Sequence, residues 1–402
     1  MYNDFSIFDK KIRKMRYLIG FLLLFVLSSN ATANSQLSEQ AKISLLTCSP
    51  GDELYTLFGH SALRVNDPIA ELDVVFGYGT FDFDTPYFYL KFGNGNLNYW
   101  IDNKSYDRFI RQYHYYGQDV VEHELNLSSI EKQRLFDALI LNSKDENKYY
   151  RYDFFFDNCA TRIRDIIIVN LDGDVAYSGD AEVLTFRDML HEFSTHVPWI
   201  SDGLDLILGL KTDDIADRNN QMFLPDYLLK HFVGAKVMHA GTRKPLLKEG
   251  EIVLAFDKNK KRGILTPALF FWALFVLSLL LMYYEITKRN KPIVFINRLL
   301  LLSSGIVGAL IFFLWFLSRH SVTGENFNML WAMPFSLFLA FFPAWFFKSK
   351  PFKIYLSFMA LCVAIPMVAG AVLPQYLPAM ILPLSLLLFS RYASWLYLMA
   401  KN

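Results

Sequence analysis

Cysteine is scarce in this chain. Only three occur among 402 residues, too few for a disulfide scaffold or a four-ligand zinc site. Neither sign of charge is in surplus, with 40 Lys and Arg against 39 Asp and Glu, whereas a nucleic-acid binder concentrates a basic excess on one domain. Several chemical signatures are missing as well. There is no H-E-x-x-H, no G-x-S-x-G elbow and no P-loop, which disfavours metalloprotease, serine hydrolase and nucleotide chemistry. His191 and His196 are five apart, the wrong spacing for two ligands on one helix face, so no metal is expected. No internal repeat or low-complexity tract occurs.

Apolar residues are abundant instead, at 53%, with 37 Phe and 22 Tyr. That excludes a disordered chain and exceeds an ordinary soluble composition. The surplus is local. Lys10, Lys11, Arg13, Lys14 and Arg16 precede an apolar run over residues 17–27, and Ala31-Thr32-Ala33 offers a small-x-small cleavage site. Residues 1–33 are therefore expected to be a signal peptide, the alternative being an uncleaved N-terminal anchor. Beyond residue 266, apolar stretches over 267–284, 293–317, 327–347, 355–372 and 379–399 each approach the length that crosses a bilayer. The loops at Lys288-Arg289 and Lys348–Lys353 are basic, which puts them inside and residues 34–265 outside by the positive-inside rule. A further basic cluster, Lys258 to Arg262, falls on the outer side, as a juxtamembrane collar or a contact for anionic headgroups. The stretches contain almost nothing ionisable apart from Arg298 and Arg391, each near an end. No buried charge of the kind an ion pathway needs is expected, which places the chemistry in the exported domain.

That domain alternates strand-like and helix-like runs. Residues 42–47, 61–65, 72–78, 120–127 and 149–156 have strand character. Helices are expected from Ser129 to about Leu141 and over 159–169, and the segment 186–237 is mostly helical with breaks at Pro198, Gly203, Gly209 and Pro225. The domain is α+β. Its stretch from Phe76 to Tyr116 is dense in aromatic residues, either as a core hairpin or as an acyl-binding wall near the membrane.

Two local signals carry chemistry. His60 stands in Phe58-Gly59-His60-Ser61-Ala62, at the start of a strand. Cys159 stands in Asp157-Asn158-Cys159-Ala160-Thr161-Arg162, at a strand-to-helix junction. A helix start favours a thiolate through its unpaired N–H groups, and an imidazole nearby activates it further. Strand-borne His with helix-start Cys is the papain-like arrangement. Read from the residues alone, Cys159 is a nucleophile, an inert core residue or a disulfide partner of Cys48, which is itself read as strand-buried. Cys362 lies in a span and packs there. His114 and His123 are structural or solvent-facing.

The runs from Leu46 to Tyr55 and from Phe58 to Arg64, with Tyr78-Gly79-Thr80-Phe81-Asp82-Phe83 and Asp157 to Asp165, resemble the Lnb-type bacterial lipoprotein N-acyltransferases. Pro198-Trp199 and Phe223-Leu224-Pro225 add to the likeness, as does the C-terminal bundle. The resemblance implies a circularly permuted papain-like (NlpC/P60-type) domain over residues 34–265, with a helical C-terminal extension. A transmembrane bundle of about five helices over 266–402 would follow, in the bacterial inner membrane. It assigns the catalytic pair to Cys159 and His60, and strengthens the nucleophile reading. Asp73 or Tyr78 would orient the imidazole. Asn158 and Arg162 flank the nucleophile, and Tyr55 and Glu53 approach from the loop before His60. The implied reaction moves an acyl chain from a phospholipid to the N-terminal amine of a diacylated lipoprotein, without a cofactor. The competing readings are a membrane-anchored cell-wall amidase or peptidase with the same Cys–His chemistry, and a binding module that keeps only the fold.

Overall fold

The computed structural model describes residues 36–51, 53–239, 241–256 and 265–401. The expected signal peptide and the basic cluster at 258–262 lie outside the described residues.

The exported domain begins with β1 (Lys42–Cys48), β2 (His60–Asp67) and β3 (Leu72–Thr80), a short helix α1 (Phe88–Gly93), β4 (Asn98–Ser105) and α2 (Tyr106–Tyr115). Then come β5 (Val120–Leu125), α3 (Ser129–Asn142), β6 (Tyr149–Arg151), α4 (Cys159–Val169) and β7 (Val175–Ala176). Four helices follow: α5 (Phe186–Ser194), α6 (Pro198–Ile207), α7 (Arg218–Gln221) and α8 (Pro225–Val233). Strands β8 (Lys236–His239), β9 (Thr242–Pro245) and β10 (Leu247–Leu254) complete the domain. Seven strands form one sheet in the order β10-β5-β1-β2-β3-β4-β6, and β7, β8 and β9 form a smaller one. The neighbours in the large sheet run antiparallel.

β1 shows why the sheet is covered on both sides. From Ile43 to Cys48 every residue is buried, so the strand lacks the alternation of a half-solvated one. Ile43 and Leu45 face a core shared with α3, α4 and α8, while Leu46 and Cys48 face a second core with Phe109 and Tyr113 of α2.

Several boundaries differ from the sequence reading for identifiable reasons. The N-cap of α3 is Ser128 rather than Ser129, because the capping box needs Glu131 at the third helical position. β6 stops at Arg151, since the Asp153 carboxylate accepts the N–H groups of Phe155 and Phe156 and turns the chain. Pro198 and Pro225 start helices rather than break them, because the first helical turn needs no proline N–H. Gly203 lies inside α6.

The C-terminal region contains four helices of membrane-crossing length. They are α9 (Pro267–Tyr284, prolonged to Arg289 by a π-helical turn), α10 (Val294–Phe316), α12 (Lys350–Ala369) and α13 (Ile381–Lys401). Between α10 and α12 the expected helical span is broken into α11 (Phe335–Leu339) and two 3-10 turns, as Pro334 and Pro343 dictate. The segment still runs the length of the bundle. Its start is tied to the exported domain, where Asn326 donates to the Leu206 carbonyl (2.8 Å). Its later part meets the other end of α10, where Arg298 donates to the Phe342 carbonyl. Polar side chains satisfy part of the irregular backbone, as a bilayer interior requires: the Gln375 oxygen accepts the Phe327 N–H (2.6 Å) and Asn326 accepts the Asn328 N–H (3.0 Å).

Close approach along this segment depends on glycine. A Cβ at Gly308 would lie 2.1 Å from the Ala332 carbonyl oxygen, and one at Gly305 2.2 Å from the Leu337 nitrogen. Gly308→Ala should therefore lower thermal stability in detergent by about 1–3 kcal/mol through backbone displacement. Gly203→Ala, with nothing within 4 Å of its Cβ position, should instead gain up to about 1 kcal/mol from helix propensity. Equal melting temperatures for the two variants would contradict this packing.

One expectation about the spans is corrected. Arg391 is 1% exposed and forms a buried ion pair with the fully buried Glu285, at 2.7 and 2.9 Å. Glu285 also accepts the Ile293 N–H (2.5 Å) and the Ser394 hydroxyl (3.1 Å), closing the turn between α9 and α10. Ionisable groups are thus buried at this end of the bundle, where they close a helical hairpin.

Candidate active site

The end of the sheet where β1 and β2 meet carries the site. Cys48 is paired with His60 across the two strands, and α4 begins beside them. The start of α4 is built by its own sequence. The Asn158 carboxamide oxygen accepts the N–H groups of Ala160 and Thr161 (both 2.9 Å), while Thr161 Oγ1 accepts the Asn158 N–H (2.8 Å). The Asn158 amide also donates to the carbonyls of Phe154 and Phe223 (both 2.8 Å), fixing the helix start to two loops. Cys159 is thereby the first residue of the helix.

The Cys159 thiol is 8% exposed and free. The backbone N–H groups of Ser61, of Ala160 and of Cys159 itself lie near its sulfur. Burial pushes the thiol above the ordinary cysteine range, and those three donors hold back part of the rise. Cys48 is fully buried and also free, with its thiol beside the Tyr113 hydroxyl and no disulfide to Cys159.

His60 is half-buried at the start of β2. Burial lowers its imidazole to about 4, with a smaller contribution from the Lys104 ammonium. The Ser61 N–H near the Cys159 sulfur belongs to the next residue after His60, and no hydrogen bond joins the ring to the sulfur among the described residues. Burial thus favours the uncharged form of each group, the thiol and the imidazole.

Space for both groups comes from Gly77 and Gly79. A Cβ at Gly77 would sit 3.2 Å from His60 Nε2, tighter than most real contacts. Gly79 has φ +92°, and its Cβ position lies 3.7 Å from Cys159 Cβ, 3.5 Å from a Tyr152 ring carbon and 3.9 Å from the Tyr150 hydroxyl. The glycines were visible in the sequence, but their register against His60 and Cys159 was not. Tyr150 and Tyr152 were not singled out either. Both ring hydroxyls are pushed above the ordinary tyrosine range, chiefly by burial, and both lie close enough to Cys159 for a thiolate there to raise them further. The Tyr150 hydroxyl is buried without a hydrogen-bond partner.

The other sequence candidates fall into different places. Asp73 is held by Arg64 at 2.7 and 2.8 Å, and it pairs with Asn66, six residues along β2 from His60. At 3.3 Å per residue that is about 20 Å from the imidazole, so it does not orient the ring. Tyr78 packs in the same core as Cys159, against the Tyr150 ring, and its hydroxyl accepts the Asn142 amide (2.8 Å). Arg162 pairs with Asp157 (2.5 and 2.8 Å) and stacks 3.5 Å over the Tyr150 ring, so it braces the wall of the site. Glu53 is exposed, and its carbonyl accepts the Thr56 N–H (2.9 Å). Tyr55 packs against Phe81 and Phe83 (ring centroids 6.0 and 6.1 Å).

The membrane region reaches the site directly. Ser321, in the loop after α10, donates to Asp153 (2.6 Å), in the turn that leads to Cys159. The Arg319 N–H donates to the Asn94 carbonyl (3.0 Å), on the other side.

Two family models match the chain. One, described as the Lnb N-terminal periplasmic domain, covers residues 28–191, and the other, the Lnb transmembrane domain, covers residues 258–402. No curated protein and no solved structure matches it.

Proposed function

Because the chain belongs to the Lnb family, we propose that it transfers an acyl chain from a membrane phospholipid to the N-terminal amine of a diacylated lipoprotein, through a thioester on Cys159. Membership gives the coarser part: a membrane protein with a periplasmic domain, of a lipoprotein N-acyltransferase-like family. The observation that carries the finer part is the start of α4. There a free, nearly buried thiol lies at a helix start beside the backbone N–H of Ser61, the residue after His60, whose imidazole burial favours in the neutral form.

In the first half-reaction His60 accepts the thiol proton as sulfur attacks the ester carbonyl carbon. The ester C–O bond breaks, and His60 returns the proton to the leaving oxygen of the lysophospholipid. The N–H groups at the helix start are placed to stabilise negative charge on the sulfur or the tetrahedral oxyanion. In the second, the lipoprotein amine attacks the thioester carbon, the C–S bond breaks, and the amine proton passes through His60 to the sulfur. The product is an amide. The aromatic walls exclude water, which would otherwise hydrolyse the thioester.

The acid limb of kcat/KM for Cys159 acylation should follow His60. A base must be neutral to act, and burial favours the neutral form, so activity is retained as pH falls below 6.5 and is lost through about 4. The measurement is the rate of acylation by a water-soluble activated ester across this range. An acid limb at about 6.5, the ordinary histidine value, would exclude the lowered imidazole as the base.

The proposal itself is tested with the full chain in phospholipid nanodiscs and a synthetic diacylated lipopeptide. The expected product is the lipopeptide heavier by one acyl chain, placed on its α-amine by fragmentation. Unchanged lipopeptide together with cleavage of murein peptides would replace the reading by the amidase.

A further inference from the structure

The aromatic segment after β3 is a feature that the reaction above does not use. Residues 81–93 leave the sheet and return to it. Phe81, Phe83 and Phe88 pack on one another, with ring centroids 4.9 to 5.8 Å apart. The outer side chains are left uncovered: Phe83 is 58% exposed, Tyr87 78%, Tyr89 82% and Leu90 70%. Burying such side chains is worth about 1.5–3 kcal/mol each, and a contiguous exposed group of them marks an interaction site.

Its position says what covers it. Where the segment ends it is fastened to the outer end of α10. Asn94 accepts the Arg319 N–H (3.0 Å), the Phe92 carbonyl meets His320 Nε2 (3.0 Å), and the Gly93 Cβ position lies 3.8 Å from the Phe313 ring. Phe313 is in the last turn of a helix of membrane-crossing length, so the exposed aromatic side chains sit at the depth of the membrane interface.

We propose that residues 83–92 form a flap that inserts into the outer leaflet and admits a phospholipid acyl chain to Cys159. Tyrosine, phenylalanine and leucine on a short amphipathic element suit that interface. A continuous aromatic path leads inward. Phe81 lies 5.4 Å from Tyr99, Tyr99 stacks on Tyr152 at 4.5 Å, and Tyr152 lies beside Gly79 and Cys159. The insertion stands on geometry, and its purpose rests on the acyltransferase reading above.

Two measurements separate the two claims. For insertion, Leu90→Cys in a Cys159→Ser chain is labelled with the environment-sensitive fluorophore NBD and placed in nanodiscs of phosphatidylethanolamine and phosphatidylglycerol with brominated acyl chains. Ile130→Cys, 73% exposed at the start of α3, serves as the comparison site. Quenching at position 90 and none at 130 is expected. No quenching at 90, or equal quenching at both, overturns insertion whether or not the protein transfers acyl chains. For the purpose, the double variant Tyr89→Asp, Leu90→Asp should acylate Cys159 from nanodisc lipid at least about tenfold more slowly, given the lost apolar burial. It should react with water-soluble p-nitrophenyl butyrate at the unaltered rate. Equal rates from nanodisc lipid in variant and parent would overturn the gate. Quenching at 90, together with a parent chain that never acylates Cys159, would leave the membrane flap standing and sink the acyltransferase reading.

Discussion

Cys159→Ala should abolish transfer to the lipopeptide, lowering the rate by at least about a thousandfold, while the protein melts close to the parent temperature. The chemical loss is total because the proposed intermediate is bonded to that sulfur. The structural loss is small because the helix start does not depend on the thiol. Asn158 and Thr161 cap α4 through their own side chains, and alanine at the first helical position keeps the backbone unchanged. Cys48→Ala is the matching control. Its thiol is fully buried, free and packed beside Tyr113, so it should retain near-parent turnover. A Cys159→Ala protein that still transfers would remove the nucleophile from the mechanism.

Arg187→Leu should have the largest effect on stability. Arg187 is 2% exposed and holds two carboxylates, Asp205 at 2.5 Å and Asp213 at 2.8 and 3.0 Å, while also donating to the Gly209 carbonyl (3.3 Å). The same cluster fastens the exported domain to the bundle. Asp213 accepts the Tyr376 N–H (3.2 Å), and Gln375 donates to the Leu208 carbonyl (3.1 Å). Removing the cation leaves Asp213 without its counter-charge and the buried Asp205 with only His191 Nε2 (3.0 Å) beside it, a loss of about 3–5 kcal/mol. For a domain of this size that corresponds to a fall in Tm of roughly 10 °C. A shift within one or two degrees would show the cluster to be solvated and weak.

The helix start that carries Cys159 was legible because its signal is local. A polar cap, a small reactive residue and a threonine three positions past the cap, at the head of an apolar run, specify a helix start, and the structure places Asn158, Cys159 and Thr161 in that geometry. His60 was legible as a strand start for a similar reason. What was not legible depends on register. Nothing near Asp73 in the chain announces that Arg64 holds it, and only the pairing of β2 with β3 turns it away from His60. Gly77 and Gly79 matter because β3 passes beneath two groups distant in sequence. The broken segment after α10 has the hydropathy of a span, yet its prolines prevent a continuous helix. Glu285 lies just beyond an apolar run, so its pairing with Arg391 appears only when α9 and α13 are side by side.

The most direct test is the mass of the protein after incubation with phospholipid in nanodiscs, before and after neutral hydroxylamine. A Cys159 thioester predicts one added acyl chain on the peptide that contains Cys159, removed by hydroxylamine and absent from Cys159→Ala. An unmodified Cys159 peptide in a folded protein, under conditions where lipopeptide is nonetheless acylated, would contradict it.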